Sequence, residues 1–189
     1  MIIQIKVGTM ENFAYIIWDE STRDAAVIDP GWEVNKILEK IKSLGLRTRY
    51  ILLTHAHFDH ASDVRELKRH TNAKILVNEK EKAGFGDQMI KDGDIIKLGK
   101  KEIEIIETPG HTQGGVCFIF DRENIFTGDT LFTNGSYGRT DLPGGNEKDL
   151  GKSIKKILSL PGKMKLYPGH DYSNKPTSTI KEEKQYYNL

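Results

Sequence analysis

Five of the six histidines in this 189-residue chain, together with two aspartates, fall into four short clusters. These are His55-Ala56-His57-Phe58-Asp59-His60, Pro109-Gly110-His111, Gly128-Asp129-Thr130 and Pro168-Gly169-His170. Each cluster ends a short apolar run, so a fold for this chain has to bring the ends of four separate runs to one place. A lone histidine is usually a structural hydrogen-bonder. Seven imidazole and carboxylate side chains in four punctuated motifs point instead to a pair of borderline divalent cations. Zinc is the first expectation, and the same donors accept iron or manganese.

In an extended segment, residues two apart project to the same side, so His55 and His57 can grip one ion. Asp59 and His60 follow where the chain turns into a helix, which lets both reach a neighbouring ion. A straight strand would send them to opposite faces. His111, after the tight Pro109-Gly110 turn, suits the first ion as a third ligand, and the Gly114-Gly115 pair beyond it admits close backbone approach. Asp129 carries two carboxylate oxygens, the natural bridge between two cations, and His170 would complete the second. Asp59 and Asp129 are the candidate catalytic carboxylates.

Apolar runs of four to seven residues, cut by Gly, Pro and Asp, alternate with amphipathic stretches. Ile2–Val7, Phe13–Trp18 and Ala25–Ile28 read as an antiparallel meander turned at Gly8-Thr9 and over 19–24. Val34, Ile37, Leu38, Ile41 and Leu44 have helical spacing, and Gly45 stops that helix. A strand over Tyr50–Thr54 carries the first histidine cluster, and a helix is expected from near Ala61 to about His70. Further strands are expected at Lys74–Val77, in hairpins Ile95–Leu98 with Ile103–Thr108 and Val116–Phe120 with Asn124–Thr127, and at Lys165–Tyr167. A helix is expected over Lys148–Leu160, and the Thr179-Ile180-Lys181-Glu182 capping box starts a short one. Two mixed sheets packed together with helices outside satisfy this order, an α/β (α+β) architecture in a single domain over 1–189.

Net charge is +1 with acids and bases interspersed, which suggests neither a nucleic acid nor an anionic membrane as partner. The stretches Glu79 to Lys82 and Lys97 to Lys101 mix both signs and read as solvated faces. The single cysteine, Cys117, cannot form an internal disulfide, and Met1 to Lys6 is too short and interrupted for a secretory segment, so a cytoplasmic chain is expected. No apolar run approaches the roughly 20 residues that span a bilayer. The expected partner is a small-molecule substrate, with a symmetric homodimer as the default assembly.

The His-x-His-x-Asp-His signature and the later histidines and aspartate, spread from Ile2 to His170, resemble the metallo-β-lactamase-fold hydrolases, and within them the glyoxalase II-like branch that cleaves hydroxyacylglutathione. The resemblance implies an αββα sandwich with a two-metal site at one edge of the sheets. It implies His55, His57 and His111 on one metal, Asp59, His60 and His170 on the other, and Asp129 bridging. Asp129 stands where the zinc β-lactamases of this fold carry a cysteine ligand, and His57 where the oxygen-reducing diiron proteins use a glutamate. Neither of those activities is expected. Full-length glyoxalase II continues into a helical domain that supplies basic side chains for glutathione, a domain that compact members of the branch lack, whereas this sequence stops at Leu189.

Two ions about 3.5 to 4 Å apart would hold a water, lower its pKa and present a bridging hydroxide to a polarised carbonyl. No nucleophilic serine or cysteine is then required, and Cys117, inside an apolar run, reads as a core residue. No general acid stands beside the ligands, which suits a leaving group that departs unaided, such as the thiolate of a thiol with pKa about 8.5. Thioester hydrolysis is the expected reaction. The alternative is a persulfide dioxygenase, because 137–141, 170–172 and 178–183 are similar to stretches of that family, whose single iron is held by residues matching His55, His111 and Asp129. A lactonase and a metal-binding module without turnover rank lower.

Outside the clusters, His70 reads as a structural cation at a helix end. Asp29 is either a plain turn residue or the partner that orients a ligand histidine. Arg139 and Tyr172 are candidates to touch substrate; the alternative for Arg139 is a pair with Asp141 or a nearby carboxylate that braces the loop Phe132 to Asn146. The glycine-rich loop Phe132 to Asn146 has the composition of a flap over the site. The closing Tyr187-Asn188-Leu189 is neither a lipidation signal nor a partner motif.

Overall fold

The computed structural model describes residues 1–187; Asn188 and Leu189, the end of the closing tripeptide, lie outside the described residues. In chain order its first half contains β1 (Ile2–Val7), β2 (Asn12–Trp18), β3 (Asp24–Ile28), α1 (Val34–Ser43), β4 (Arg47–Leu52), α2 (Phe58–Ala61), α3 (Val64–Thr71), β5 (Lys74–Asn78) and β6 (Gln88–Ile90). The second half contains β7 (Ile95–Leu98), β8 (Lys101–Glu107), β9 (Val116–Phe120), β10 (Asn124–Gly128), α4 (Glu147–Leu158), β11 (Lys165–Pro168), β12 (Ser178–Thr179) and α5 (Ile180–Glu183).

The strands form two six-stranded sheets, in the orders β1-β2-β3-β4-β5-β6 and β12-β11-β10-β9-β8-β7. As expected, β1, β2 and β3 make an antiparallel meander, with Ile2 opposite Ile17 and Tyr15 opposite Ile28. β3 through β6 then run parallel. In the second sheet β7 through β10 are antiparallel, β10 and β11 parallel, and β11 and β12 antiparallel.

β2 is buried at all seven positions, which requires covered layers on both of its faces. Phe13, Tyr15 and Ile17 point between the sheets, where they meet Phe118, Phe120, Phe126 and Tyr167 of the second sheet. Ala14, Ile16 and Trp18 point outward and pack with Ile37 and Ile41 of α1 and Val64 and Leu67 of α3. The second sheet divides in the same way: Cys117, Ile119 and Ile125 pack outward against Leu150, Ile154 and Ile157 of α4. Period-two alternation in the strands and helical spacing in the flanking elements thus give four layers, α/β/β/α. No helix of the described residues is long and apolar enough to cross a membrane.

Several element ends differ from the sequence expectation by one to three residues, and two of these differences lie at the site. β4 stops at Leu52 rather than Thr54, because the Thr54 amide donates to Asp29 Oδ1 (2.8 Å) while its carbonyl accepts from Val116 of the other sheet (2.9 Å). The helix expected from Ala61 begins at Phe58, and it breaks at Ser62-Asp63, where the Asp63 carboxylate turns aside to accept the Val34 amide at the start of α1 (2.9 Å). The short edge strands β6 and β12 were too brief to be expected from sequence. At the chain's end the Thr179 hydroxyl accepts the Glu182 amide (3.2 Å), as the capping box requires, but the Glu182 carboxylate goes to Ser178 and Lys175 instead.

Phe118 is fully buried between the sheets. Phe118→Ala is expected to cost about 3–5 kcal/mol, read as a lower urea midpoint with an unchanged slope.

Candidate metal centre

All four clusters meet at one edge of the sandwich, beyond the ends of β4, β8, β10 and β11. After β4 the chain bends at Thr54, and His57, whose backbone is extended (φ −62°, ψ 148°), precedes the first turn of α2. That turn carries Asp59 and His60 inward, as the sequence required, while Phe58 between them stays 65% exposed. Gly128 brings β10 to Asp129 with φ +48°, a conformation that a side chain disfavours. A Cβ on Gly169 would fall 2.3 Å from Asp129 Oδ1 and 3.0 Å from the His60 ring, so the turn before His170 can hold only glycine.

The histidines are aimed from behind. His111 Nδ1 lies 2.6 Å from the Arg139 carbonyl and His170 Nδ1 lies 2.7 Å from the Met10 carbonyl, so each Nδ1 carries a proton and donates. His60 Nδ1 donates to Asp29 Oδ2 (3.2 Å). The Thr54 hydroxyl donates to Asp29 (2.6 Å), which leaves its oxygen to accept from His55 Nδ1 (3.1 Å). In each of the four rings, when neutral, Nε2 is then a bare lone pair. Asp29, read in the sequence as either a turn residue or an orienting partner, does the second, holding Thr54 and His60 at once.

Seven donors converge. His55, His57 and His111 offer ligand atoms within 4.8 Å of one another, and so do Asp59, His60 and His170. Asp129 stands between them, with Oδ2 3.5 Å from His111 Nε2 and 3.3 Å from His170 Nε2, and Oδ1 3.4 Å from His60 Nε2. Asp29, His55 and His60 form a third such group, whose carboxylate is already committed to Thr54.

The donor chemistry fits cations. His60 and His170 present Nε2 to Nε2 at 3.2 Å, and His111 Nε2 faces His57 Nδ1 at 2.9 Å. His55 Nε2 and Asp129 Oδ1 are buried with no hydrogen-bond partner at all. Buried acceptors left without a donor, as His55 Nε2 and Asp129 Oδ1 are, are costly unless positive charge lies among them. Burial holds the His55 and His57 pKa values below the ordinary imidazole value, favouring the neutral form that ligates. Burial also lowers the His60 pKa, but Asp129, Asp29 and Asp59 outweigh it and raise it to about 9. Asp129 is held well below the usual carboxylate range, as His60, His170 and His55 outweigh its burial.

Three side chains that sequence reasoning passed over or left open complete the site. Asn12 was missed: its Nδ2 donates to Asp59 Oδ2 (2.9 Å), and its backbone bridges to His170. Tyr172 stacks on His170, ring centroids 4.5 Å apart and 13° from parallel. Arg139 makes two hydrogen bonds to Asp141, of 2.6 and 2.5 Å, the bracing alternative, while its backbone carbonyl aims His111. The loop from 132 to 146 lies over the site but is tied down, Gly138 to the Asp129 carbonyl (2.9 Å) and Gly135 to the Glu183 carboxylate (2.8 Å). A cavity of about 560 Å³ opens beside it, walled by Met10, Phe58, Phe132, Tyr137, Leu142 and Tyr172. His70 lies exposed in the last turn of α3, and Cys117 is buried, its thiol pushed up to about 12 by that burial.

Asp29 has φ +49°, which asparagine tolerates well. Asp29→Asn is therefore expected to keep the backbone yet lower cation affinity on the order of 10–100-fold, measured against a chromogenic chelator.

Comparison with known proteins agrees with this geometry. The model of the metallo-beta-lactamase superfamily matches residues 7–170. A probable polyketide biosynthesis zinc-dependent hydrolase, PksB of Bacillus subtilis, is 35% identical over 177 residues, covering 90% of this chain and 78% of that protein. The mitochondrial persulfide dioxygenase ETHE1 of Homo sapiens is 38% identical over 176 residues, covering 92% and 69%. A hydroxyacylglutathione hydrolase of Pelagibacter ubique is 35% identical, covering 92% and 72%. Among solved structures, ETHE1 from Myxococcus xanthus superposes with TM-score 0.92 at 31% identity, covering 98% of this chain and 82% of that one. TTHA1623 in a di-iron-bound form gives 0.82 at 30%, covering 97% and 98%. With a family model matched over most of its length, on a fold of two mixed sheets flanked by helices, this chain belongs to the metallo-beta-lactamase superfamily.

Proposed function

We propose that this chain is a two-cation hydrolase of thioesters, of the acyl-thiol class named for its hydroxyacylglutathione hydrolase relative. The observation that carries the reading is that both three-donor groups are complete, with Asp129 reaching into each. His55, His57 and His111 would hold one cation, Asp59, His60 and His170 the other, and Asp129 would bridge, with zinc the first choice and iron or manganese acceptable. Bound there, divalent cations supply Lewis acidity to a carbonyl and acidify a water.

The chain's own residues do the rest. Asp29, Thr54, Met10 and Arg139 fix ring orientation through the Nδ1 hydrogen bonds, and Asn12 fixes the Asp59 carboxylate. Phe132 and Tyr172 pack on the His170 ring and keep bulk water off its face. Two ionisable side chains outside the donor set that wall the cavity, Tyr172 and Arg139, are poor proton donors near neutral pH. Burial, with Asp129 and Asp59 adding to it, holds the Tyr172 phenol at about 12, and Arg139 is paired with Asp141. A leaving group that needs no proton suits such walls, and a thiolate is one.

A second reading, a single-iron persulfide dioxygenase, is favoured by the likeness to ETHE1 and by the presence of its donors' counterparts, His55, His111 and Asp129. Elemental analysis, a thioester assay and oxygen uptake with glutathione persulfide separate the two. Close to two cations per chain with thioester cleavage and no oxygen uptake is the expected result; about one iron with oxygen uptake would replace the hydrolase by the dioxygenase. Asp129→Ala is expected to abolish cleavage and lower cation content, while Cys117→Ala keeps both. Full turnover by a metal-free Asp129→Ala protein would refute the proposed site.

A further inference from the structure

Glu81 lies in a stretch whose mixed charges read as a solvated face, yet its side chain turns inward and is half-buried. It sits on the single 3-10 turn Glu79–Glu81 that follows β5. Its Oε2 accepts the Ala56 amide (2.7 Å), between His55 and His57. Its Oε1 accepts the Thr112 hydroxyl (2.5 Å) and the Gly114 amide (3.0 Å), on the loop that carries His111. One carboxylate thus receives three donors from two loops that belong to different sheets. The turn is itself anchored: Asn78 caps it by accepting the Lys80 amide (2.9 Å), and Asn78 and Lys80 both donate to Glu107 at the end of β8 (2.9 and 2.8 Å).

We propose that Glu81 is a positioning residue for the first donor group, locking the His55–His57 segment to the His111 loop and so setting the spacing of His57 and His111. This role rests on the two-cation reading of the site. Charge-assisted bonds to fixed backbone amides are short and directional, so the carboxylate transmits position rather than merely adding stability. Apart from the His57 and His111 rings, which face each other directly at 2.9 Å, no other side chain hydrogen-bonds both segments among the described residues. The second group has a counterpart in Asn12, which joins Asp59 to His170. Each group therefore has its own clamp across the sheets, and the two clamps can be tested separately.

The test is a zinc titration of chelator-stripped protein against a chromogenic competitor, with cobalt spectra run in parallel, on wild type, Glu81→Ala, Glu81→Gln and Asn12→Ala. Glu81→Ala is expected to weaken one of two binding equilibria roughly 10–100-fold and to alter one set of cobalt d–d bands. Glu81→Gln, which keeps a carbonyl oxygen for one amide, should fall between, and Asn12→Ala should weaken the other equilibrium. If both Glu81 variants melt at lower temperature yet bind both cations as wild type does, Glu81 is a fold strap only and the proposal fails. If wild type itself takes fewer than two cations, the two-cation reading fails; Glu81 is then judged on the remaining equilibrium, where weakening upholds its role and unchanged affinity ends it.

Discussion

Four imidazoles in this protein are aimed by a hydrogen bond from Nδ1 to an oxygen that another residue supplies, and the site exists only because those oxygens are in place. Three of them come from distant segments: the Met10 carbonyl, on the turn between β1 and β2, orients His170 beyond β11, the Arg139 carbonyl orients His111, and the Asp29 carboxylate, beyond β3, orients His60. A buried imidazole that lost such a partner would pay the desolvation of an unmatched donor. The metal edge is therefore coupled to the packing of the two sheets. The aromatic layer of Phe13, Tyr15, Phe118, Phe126 and Tyr167 holds that packing, and the Tyr15 hydroxyl donates to the Pro168 carbonyl just before the His170 turn. Core and site share a strand, so the register of β2 places Tyr15 in one and Asn12 in the other.

The fold was largely legible because its central strands bury both faces and its helices bury one. Runs such as Phe13–Trp18 and Val116–Phe120 are apolar throughout, and the spacing of Val34, Ile37 and Ile41 is helical. What was not legible lies where local rules are overridden by distant partners. Thr54 has the residue type of a strand, yet Asp29 and Val116 claim its backbone. The sequence places a helix start near Ala61, since nothing local marks His57 as the residue before a helix; its extended backbone follows from the need to hold His57 beside His111. Ser62-Asp63 breaks the helix for the sake of α1, which is a contact between elements far apart in sequence.

The donor set shows the same division. Histidine and aspartate at two- and one-residue spacing carry their chemistry openly, and all seven candidates lie together at the sheet edge. Asn12 and Glu81 do not, because an asparagine at a strand start and a glutamate among lysines are ordinary surface residues until the chain folds. Their roles are acts of acceptance and donation across the sheets, which no spacing within the chain encodes. Arg139 was ambiguous for a related reason. Its guanidinium pairs with Asp141 two residues away, a local fact, while its part in the site is played by the backbone carbonyl, which any residue possesses.

The charge balance of the pocket bears on the choice between the two chemical readings. Asp29, Asp59 and Asp129 are all buried there, facing imidazoles that are most useful when neutral. Two divalent cations would offset these three carboxylates, and a hydroxide held with them would bring the centre to balance. One divalent cation leaves them in excess unless a proton makes up the difference. His60 is where that proton would sit, since Asp129, Asp29 and Asp59 overcome its burial and raise its pKa to about 9. The second donor group thus holds positive charge in either state, as a cation or as an imidazolium. The two readings differ physically in which of the two occupies it, because an imidazolium at His60 has no lone pair left to ligate with.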